Sequence, residues 1–520
     1  MKWCAVFLLV AVIVQRDQVF AKPGFDGIPE LTLNSILYQH ETHRDYHLQN
    51  GVEFVKKQIV KTSKLNRNIA KNAILFLGDG MSVPTLAATR VYIGGEEKSL
   101  SFEEFPYVAM SKTYCVDGQV ADSACSATAY LTGVKANDGT IGVSAQVPRK
   151  HCTAGNNKAH HTHSIAQWAF NAGKSIGLVT TTRVTHASPS GVYAHIADRD
   201  WECNTDVKSA NCDDEVVDDI AEQLVHGEVG KNLKVIFGGG RYNFINESTV
   251  DEQGNAGKRT DGKDLITEWI NNHKPNEKRS YVWNKNGLLS LHPSANESVL
   301  GLFAPSHCEY NHKIDGISDT APTLKEMTMK AIEILQTNPK GFFLFVEGGR
   351  IDHALHDTLA HIALEETAEF SRAIKVATQM LSTDDTLFVV TADHAHTLSF
   401  GGYPDRGSNI FGVASRGDDD HKPYLKLSFA NGPSYVPRNS SQREDPTQDA
   451  AKLNDFDYLS PVTVPLEGET HGGDDVVIFA TGPHAHLFSG SMEQHTIPHF
   501  MAYATCIGDG ITHCNKSKGN

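Results

Sequence analysis

Several short apolar runs along the chain stop abruptly at Gly, Asp, Glu or His and give way to helical patterning. They are residues 73–77 (AILFL) before Gly78-Asp79-Gly80, 176–181 (IGLVTT), and 235–237 (VIF) before three glycines. Further on come 342–346 (FFLFV) before Glu347, 386–391 (TLFVVT) before Asp393-His394, and 476–480 (VVIFA). Continuous apolar strands alternating with helices predict an α/β fold, a large and mostly parallel sheet flanked by helices on both faces. Chemistry in such folds collects at the carboxyl ends of the strands. The acids and histidines fall at those ends.

Two stretches depart from that rhythm. Residues 22–65 are polar with helical patterning (LTLNSILYQH, then GVEFVKKQIV) and predict an N-terminal arm packed on the outside or on a partner. Residues 399–466 are rich in Gly, Pro, Ser and Asp, with short strand-like pieces such as 424–429. Site candidates flank that stretch on both sides, so it is expected to be an insertion into one catalytic domain, 22–520, and not a domain of its own.

The first 21 residues carry Lys2, an apolar stretch of 11 residues (CAVFLLVAVIV) and small residues around Ala21. That stretch is shorter than the ~20 residues a spanning helix needs and reads as a signal peptide cut after Ala21. Eight cysteines remain after Cys4, an even count that suits an oxidising compartment. Cys506 and Cys514 are close enough to clip the C-terminus, and Cys152 with Cys212 could close a longer loop. The pairing of Cys115, Cys125, Cys203 and Cys308 stays open. Sequons at Asn246, Asn296, Asn439 and Asn515 fit secretion. The chain ends THCNKSKGN, polar throughout, so no GPI anchor is encoded and a soluble extracellular or lumenal protein is expected. With 40% hydrophobic and 21% charged residues the composition is globular, and a net charge of −15 argues against a nucleic-acid partner.

The 26 histidines of 520 residues prompt a search for metal chemistry. In Glu347-Gly-Gly-Arg-Ile-Asp352-His353-Ala-Leu-His356, a strand ends in a carboxylate and a helix follows. Asp352 and His356 are four apart, on one helical face, where they can share an ion. Thr391-Ala392-Asp393-His394-Ala395-His396 closes another strand; an acid beside two histidines is costly to bury without metal or hydrogen bonds. Glu469-Thr470-His471-Gly472-Gly473 precedes the strand VVIFATG, and Asp79 closes the first core strand. In Ala121-Asp122-Ser123-Ala124-Cys125 the serine sits at or near a helix N-terminus, where amides and the helix dipole favour an alkoxide or phosphate. An ordinary N-cap would leave the same signature. No Ser-His-Asp triad or G-x-S-x-G surrounds Ser123, so a metal would have to activate it.

Together the segments FLGDGM, DSA–SATAYLTG, TTTRVTHASPSG, VEGGRIDHALH, TADHAH and ETHGGDDV resemble the alkaline phosphatases. The likeness is to the animal, secreted branch, of the soluble invertebrate type, and runs from about residue 30 to Cys514. It implies a three-layer sandwich with a crown-like insertion at 399–466, and a homodimer hydrolysing phosphate monoesters at alkaline pH. Ser123 would become phosphoserine. One zinc would be held by Asp352, His356 and His471, a second by Asp79, Asp393 and His394. One magnesium would be held by Asp79, Ser188 and Glu347. Arg199 matches the arginine that clamps two phosphoryl oxygens, a task suited to guanidinium. The same likeness puts His186 behind the magnesium, and His353 and His396 behind the zincs. Phe303-Ala304 stands where mammalian relatives place a calcium-binding glutamate, and the carboxylates around Asp315 and Asp319 are shifted, so a calcium site is left open.

Two other readings compete. Phosphodiesterase relatives use Thr as nucleophile where this chain has Ser123, and the sulfatase motif C/S-x-P-x-R breaks down because Ser82-Val83-Pro84 continues Thr85-Leu86. A catalytically dead binding relative would have lost its nucleophile or a metal ligand. Ser123, Arg199 and the six zinc-ligand positions are all kept.

Overall fold

The computed structural model describes residues 44–63, 65–314, 321–435 and 443–514. The expected signal peptide, most of the expected N-terminal arm, Asp315, Asp319, Asn439 and Asn515 lie outside the described residues. The chain divides into two compact units, residues 1–59 and 60–520. Of the first, the described part belongs to the helix Arg44–Thr62, along which Leu48, Val52, Phe54 and Val55 are exposed.

The second unit is built on β1 (Asn72–Gly78), β2 (Tyr107–Lys112), β3 (Ser175–Arg183), β4 (Val235–Gly239), β5 (Lys278–Val282), β6 (Glu297–Leu302), β7 (Phe342–Gly348) and β8 (Thr386–Thr391). Short strands follow in the region of the insertion: β9 (Ala395–His396), β10 (Leu398–Phe400), β11 (Val413–Arg416), β12 (Pro423–Leu425), β13 (Leu427–Gly432) and β14 (Val462–Pro465). Then come β15 (His471–Gly472), β16 (Val476–Thr481) and β17 (Gly490–Glu493). Ten of these form one sheet in the order β17-β2-β16-β8-β1-β7-β3-β4-β6-β5. From β8 to β5 neighbouring strands are parallel; β16 runs antiparallel to both β8 and β2. This is the mostly parallel α/β sheet the apolar runs predict.

Each central strand is buried on both faces. Along β1, Leu75 and Leu77 enter one core with Tyr130, Ile165, Phe343 and Phe345. Ile74 and Phe76 enter the other with Met327, Phe342, Leu344 and Phe370. The helices Ser123–Thr132, Ile165–Asn171 and Ile497–Thr505 contribute to the first, and Leu324–Leu335 and Ala360–Met380 to the second. Stripping water from two faces at once requires the unbroken apolar runs, where a half-exposed strand would alternate. Residues 399–466 hold most of two small sheets, β10-β13-β14 and β11-β12.

Disulfides join Cys152 to Cys212 and Cys506 to Cys514, and a third joins Cys115 to Cys125. Cys203 and Cys308 are buried and free. Asn296 is exposed, whereas Asn246 is half-buried with its carboxamide oxygen accepting from Ser248. Among the described residues no helix is long and apolar enough to cross a membrane.

Candidate active site

Sheet register sets the site. Leu77 of β1 pairs with Glu347 of β7 and with Thr391 of β8, while Thr180 of β3 pairs with the same Glu347. The residues beyond these pairs therefore emerge together, and Asp79, Glu347, Asp393 and His394 are each 0% exposed. The chain must turn sharply after β1. Gly80 does so at φ +68°, and a Cβ there would stand 2.4 Å from the His396 ring, so no side chain fits.

Buried carboxylates are normally saturated with donors. Here both oxygens of Asp79, Oδ2 of Asp393 and Oε1 of Glu347 have no hydrogen-bond partner, nor does the Ser188 hydroxyl. Burial, then the charges of Asp393, Asp352 and Glu347, hold Asp79 well above the usual carboxylate range. Burial likewise pushes Glu347 up to about 7, although the Thr180 and Thr182 hydroxyls donate to its Oε2. So much unmatched negative charge in a low dielectric is untenable without a cation or protons.

The histidines complete the pattern. His471 Nδ1 donates to the Ala121 carbonyl at 2.7 Å, His394 Nδ1 to the Ala395 carbonyl at 3.3 Å, and His356 Nδ1 to the Glu469 carbonyl. A carbonyl only accepts, so each ring carries a proton on Nδ1 and turns Nε2 inward as the nitrogen that can take a metal. The Nε2 atoms of His356 and His471 are 3.0 Å apart, and each is 3.4 Å from Asp352 Oδ1. His394 Nε2 stands 3.2 Å from Asp393 Oδ2, 3.6 Å from Asp79 Oδ1 and 3.3 Å from Ser123 Oγ. Two ring nitrogens this close need a proton or a cation between them. Both nitrogen-and-carboxylate sets suit a transition ion such as zinc. Asp79, Ser188 and Glu347, all oxygen, suit a hard cation.

His396 plays a different part. Burial opposes its charge, but hydrogen bonds to Asp352 and Glu469 push it up to about 9. It holds Asp352 Oδ1 at 2.6 Å through Nε2 and Glu469 Oε2 at 2.5 Å through Nδ1. Glu469 is fixed in turn by the Thr397 amide at 2.6 Å.

Ser123 is the first residue of its helix, and the cap is Asp122, which accepts from the amides of Ala124 and Cys125 at 3.2 and 3.0 Å. The serine is thus relieved of capping. Asp122 also accepts from Arg199 Nη1 at 2.9 Å, which fixes that guanidinium beside the nucleophile candidate. Arg199 Nη2 donates to His186 Nε2 at 3.3 Å. His353 makes its ring contacts with His186 and with His307, a residue the sequence patterns did not flag. Burial and neighbouring positive charge hold His186 and His307 far below the ordinary histidine range and His353 down to about 3. Ala304 is buried and contributes no carboxylate to a calcium site.

A model of the alkaline phosphatase family matches residues 70–507. The membrane-bound alkaline phosphatase of Bombyx mori is 50% identical over 453 residues, 86% of this chain and 82% of that protein. The tissue-nonspecific alkaline phosphatase of Rattus norvegicus is 46% identical over 498 residues, 92% of each. The fold is shared with Thermus thermophilus alkaline phosphatase at a TM-score of 0.60 and 23% identity, covering 84% of this chain and 92% of that one. A cold-active alkaline phosphatase from Shewanella sp. gives 0.57 and 26%, covering 84% and 99%. The chain belongs to the alkaline phosphatase family and is a phosphatase acting on phosphate monoesters.

Proposed function

We propose that the chain hydrolyses phosphate monoesters through a phosphoserine on Ser123, with two zinc ions and one magnesium bound and activity greatest at alkaline pH. The family is metal-dependent, and the residues here fit such ions. Asp352, His356 and His471 would hold one zinc, Asp79, Asp393 and His394 the other, and Asp79, Ser188 and Glu347 the magnesium. Bound there, the ions supply Lewis acidity and the positive charge that a phosphate dianion needs.

The chain's own groups do the rest. Arg199, anchored by Asp122, grips two phosphoryl oxygens and sets the phosphorus in line with Ser123 Oγ. Ser123 Oγ attacks, its bond to phosphorus forms as the ester P–O bond breaks, and the alcohol leaves with a proton. Water then attacks phosphorus from the opposite side; the Ser123 Oγ–P bond breaks, Oγ regains a proton from the water, and inorganic phosphate leaves. His396 and Glu469 keep Asp352 and the strand β15 in place through both steps.

One observation carries this reading: Ser123 Oγ stands 3.3 Å from a bare Nε2 of His394, among buried carboxylate oxygens that have no donors. Acid quenching of enzyme turning over p-nitrophenyl phosphate, followed by peptide mass mapping, tests it. Phosphate on the peptide containing Ser123 is the expected result; label on another residue or none at all overturns the assignment. We also propose secretion after loss of residues 1–21, supported by three disulfides, and a homodimeric enzyme.

A further inference from the structure

Arg199 is held by its side chain and by its backbone, and one glycine joins the two. Its Nη1 donates to Asp122 Oδ2 at 2.9 Å, and its own amide donates to the Gly139 carbonyl at 2.8 Å. The Gly139 amide in turn donates to Asp122 Oδ1 at 3.0 Å. Asp122, Gly139 and Arg199 thus close a ring of hydrogen bonds beside Ser123. Gly139 stands at φ +69°, and an added Cβ would overlap the Arg149 guanidinium, which lies against the glycine where a side chain would be.

The Arg149 fork reaches the chain neighbours of both residues. Nη1 donates at 2.7 Å to Asp138, the residue before Gly139. Nε donates to Asp198 at 3.2 Å and Nη2 to Asp200 at 3.3 Å, the residues on either side of Arg199. The backbone adds a tie, since the Lys150 amide donates to the Ala197 carbonyl at 3.0 Å. Shortly beyond, Cys152 is anchored to Cys212. Three carboxylates therefore gather round one guanidinium, and Asp198 among them is buried. Without Arg149, Asp198 would lose that cation, and two carboxylates flanking Arg199 would compete with phosphate for it.

We infer that Arg149 is a positioning residue for phosphate binding, which sets the Arg199 guanidinium through the loops on either side and neutralises the carboxylates that flank it. The inference rests on the reading of Arg199 as the phosphoryl clamp. A planar fork with separate donors spans three carboxylates as an ammonium cannot, so both the shape and the charge of the side chain count. Because these hydrogen bonds go to aspartates of the clamp loops, Arg149 governs the grip on phosphate and leaves the ions alone.

The test measures the inhibition constant for inorganic phosphate and the bound zinc in metal-loaded wild type, Arg149→Met, Arg149→Lys, Arg199→Ala and the double variant of Arg149→Met with Arg199→Ala. Arg149→Met should raise the constant about fivefold or more with zinc content unchanged, and Arg149→Lys should fall between it and wild type. In the Arg199→Ala background the same substitution should move the constant less than about twofold, because what Arg149 does passes through Arg199. An equal rise in both backgrounds, no rise in Arg149→Met, or loss of zinc in that variant overturns the inference. If Arg149→Met does not fold, Arg149→Lys made with and without Arg199→Ala decides by the same comparison. A constant unmoved by Arg199→Ala alone would instead sink the clamp reading on which the inference rests.

Discussion

The two histidine clusters at the active edge are built from the same side chain and wired in opposite senses. In His356, His394 and His471 the Nδ1–H is given to a backbone carbonyl, and three Nε2 lone pairs look inward. In His186 and His353 the lone pair is given to an arginine, and the N–H is what remains. The first arrangement sits among carboxylates without donors, the second among guanidinium groups. Proximity of histidines therefore does not define a cation site; the partner on the far nitrogen does. One edge of one sheet offers both polarities, which a reaction on a phosphate dianion needs.

Several substitutions break or sharpen that contrast. The largest effect should come from Ser123→Ala, with kcat for p-nitrophenyl phosphate down by about four orders of magnitude or more and zinc content unchanged. Retention of more than a hundredth of the activity would remove Ser123 from its role. Next is His356→Ala, which deletes one inward lone pair: elemental analysis should show one zinc fewer per chain, with a rate loss beyond the ~10–100-fold typical of outer residues. His307→Asn, made in the other cluster, should leave the metal content intact. If both variants lose zinc equally, the distinction between the clusters is wrong.

Arg199→Ala should raise the inhibition constant for inorganic phosphate about 10- to 100-fold while zinc stays bound, because it removes charge-assisted donors and no metal ligand. An unmoved constant would place the phosphate elsewhere. A separate effect concerns stability and a carboxylate in neither cluster. Glu366 is buried, accepts from the Asn311 amide at 2.5 Å, and is pushed up to about 8 by burial. A carboxyl with a folded pKa above its unfolded one favours the fold at low pH and loses that contribution as pH rises through about 8. Glu366→Gln should therefore gain on wild type by on the order of 1.4 kcal/mol per pH unit between the ordinary 4.5 and about 8, and level off above. Thermal melts across that range that stay parallel would show the side chain is not protonated in the fold.

Much of this was legible in the sequence because double burial leaves its mark on composition. The run 386–391 coincides with β8, and 73–77 and 342–346 fall within β1 and β7. The strands missed by pattern lie mainly toward the margins. β2 (YVAMSK) alternates between buried and exposed positions, β5 (KRSYV) is largely half-exposed, and β17 carries Gly and Glu. An edge strand needs no continuous apolar run. The expected strand at 424–429 is instead split between β12 and β13 at Lys426.

The site was readable where a residue ends a strand or rides a helix beside one. Asp79, Glu347, Asp393 and His394 are placed by register, Asp352 and His356 by helical spacing. Residues that act from distant loops gave no local signal. His307 lies in SHCEYN after β6, and Arg149 reads as an ordinary charge in a loop. Asp122 and Glu469 were visible inside their segments, but their grip on Arg199 and His396 arises only from folding positions 77 and 73 residues apart together. Likewise Cys115 and Cys125 offered no pairing until the loop before the Ser123 helix closed on itself.

The most direct test of the central claim, that these unmatched carboxylates and bare imidazole nitrogens hold the ions of a phosphomonoesterase, is p-nitrophenyl phosphate hydrolysis by the purified chain from neutral to strongly alkaline pH. It is run as purified, after chelation, and after return of zinc, magnesium or both. Alkaline activity that chelation abolishes, and that only zinc and magnesium together restore fully, is the predicted result. Activity indifferent to the chelator, or absent from a chain shown by elemental analysis to carry zinc, would contradict it.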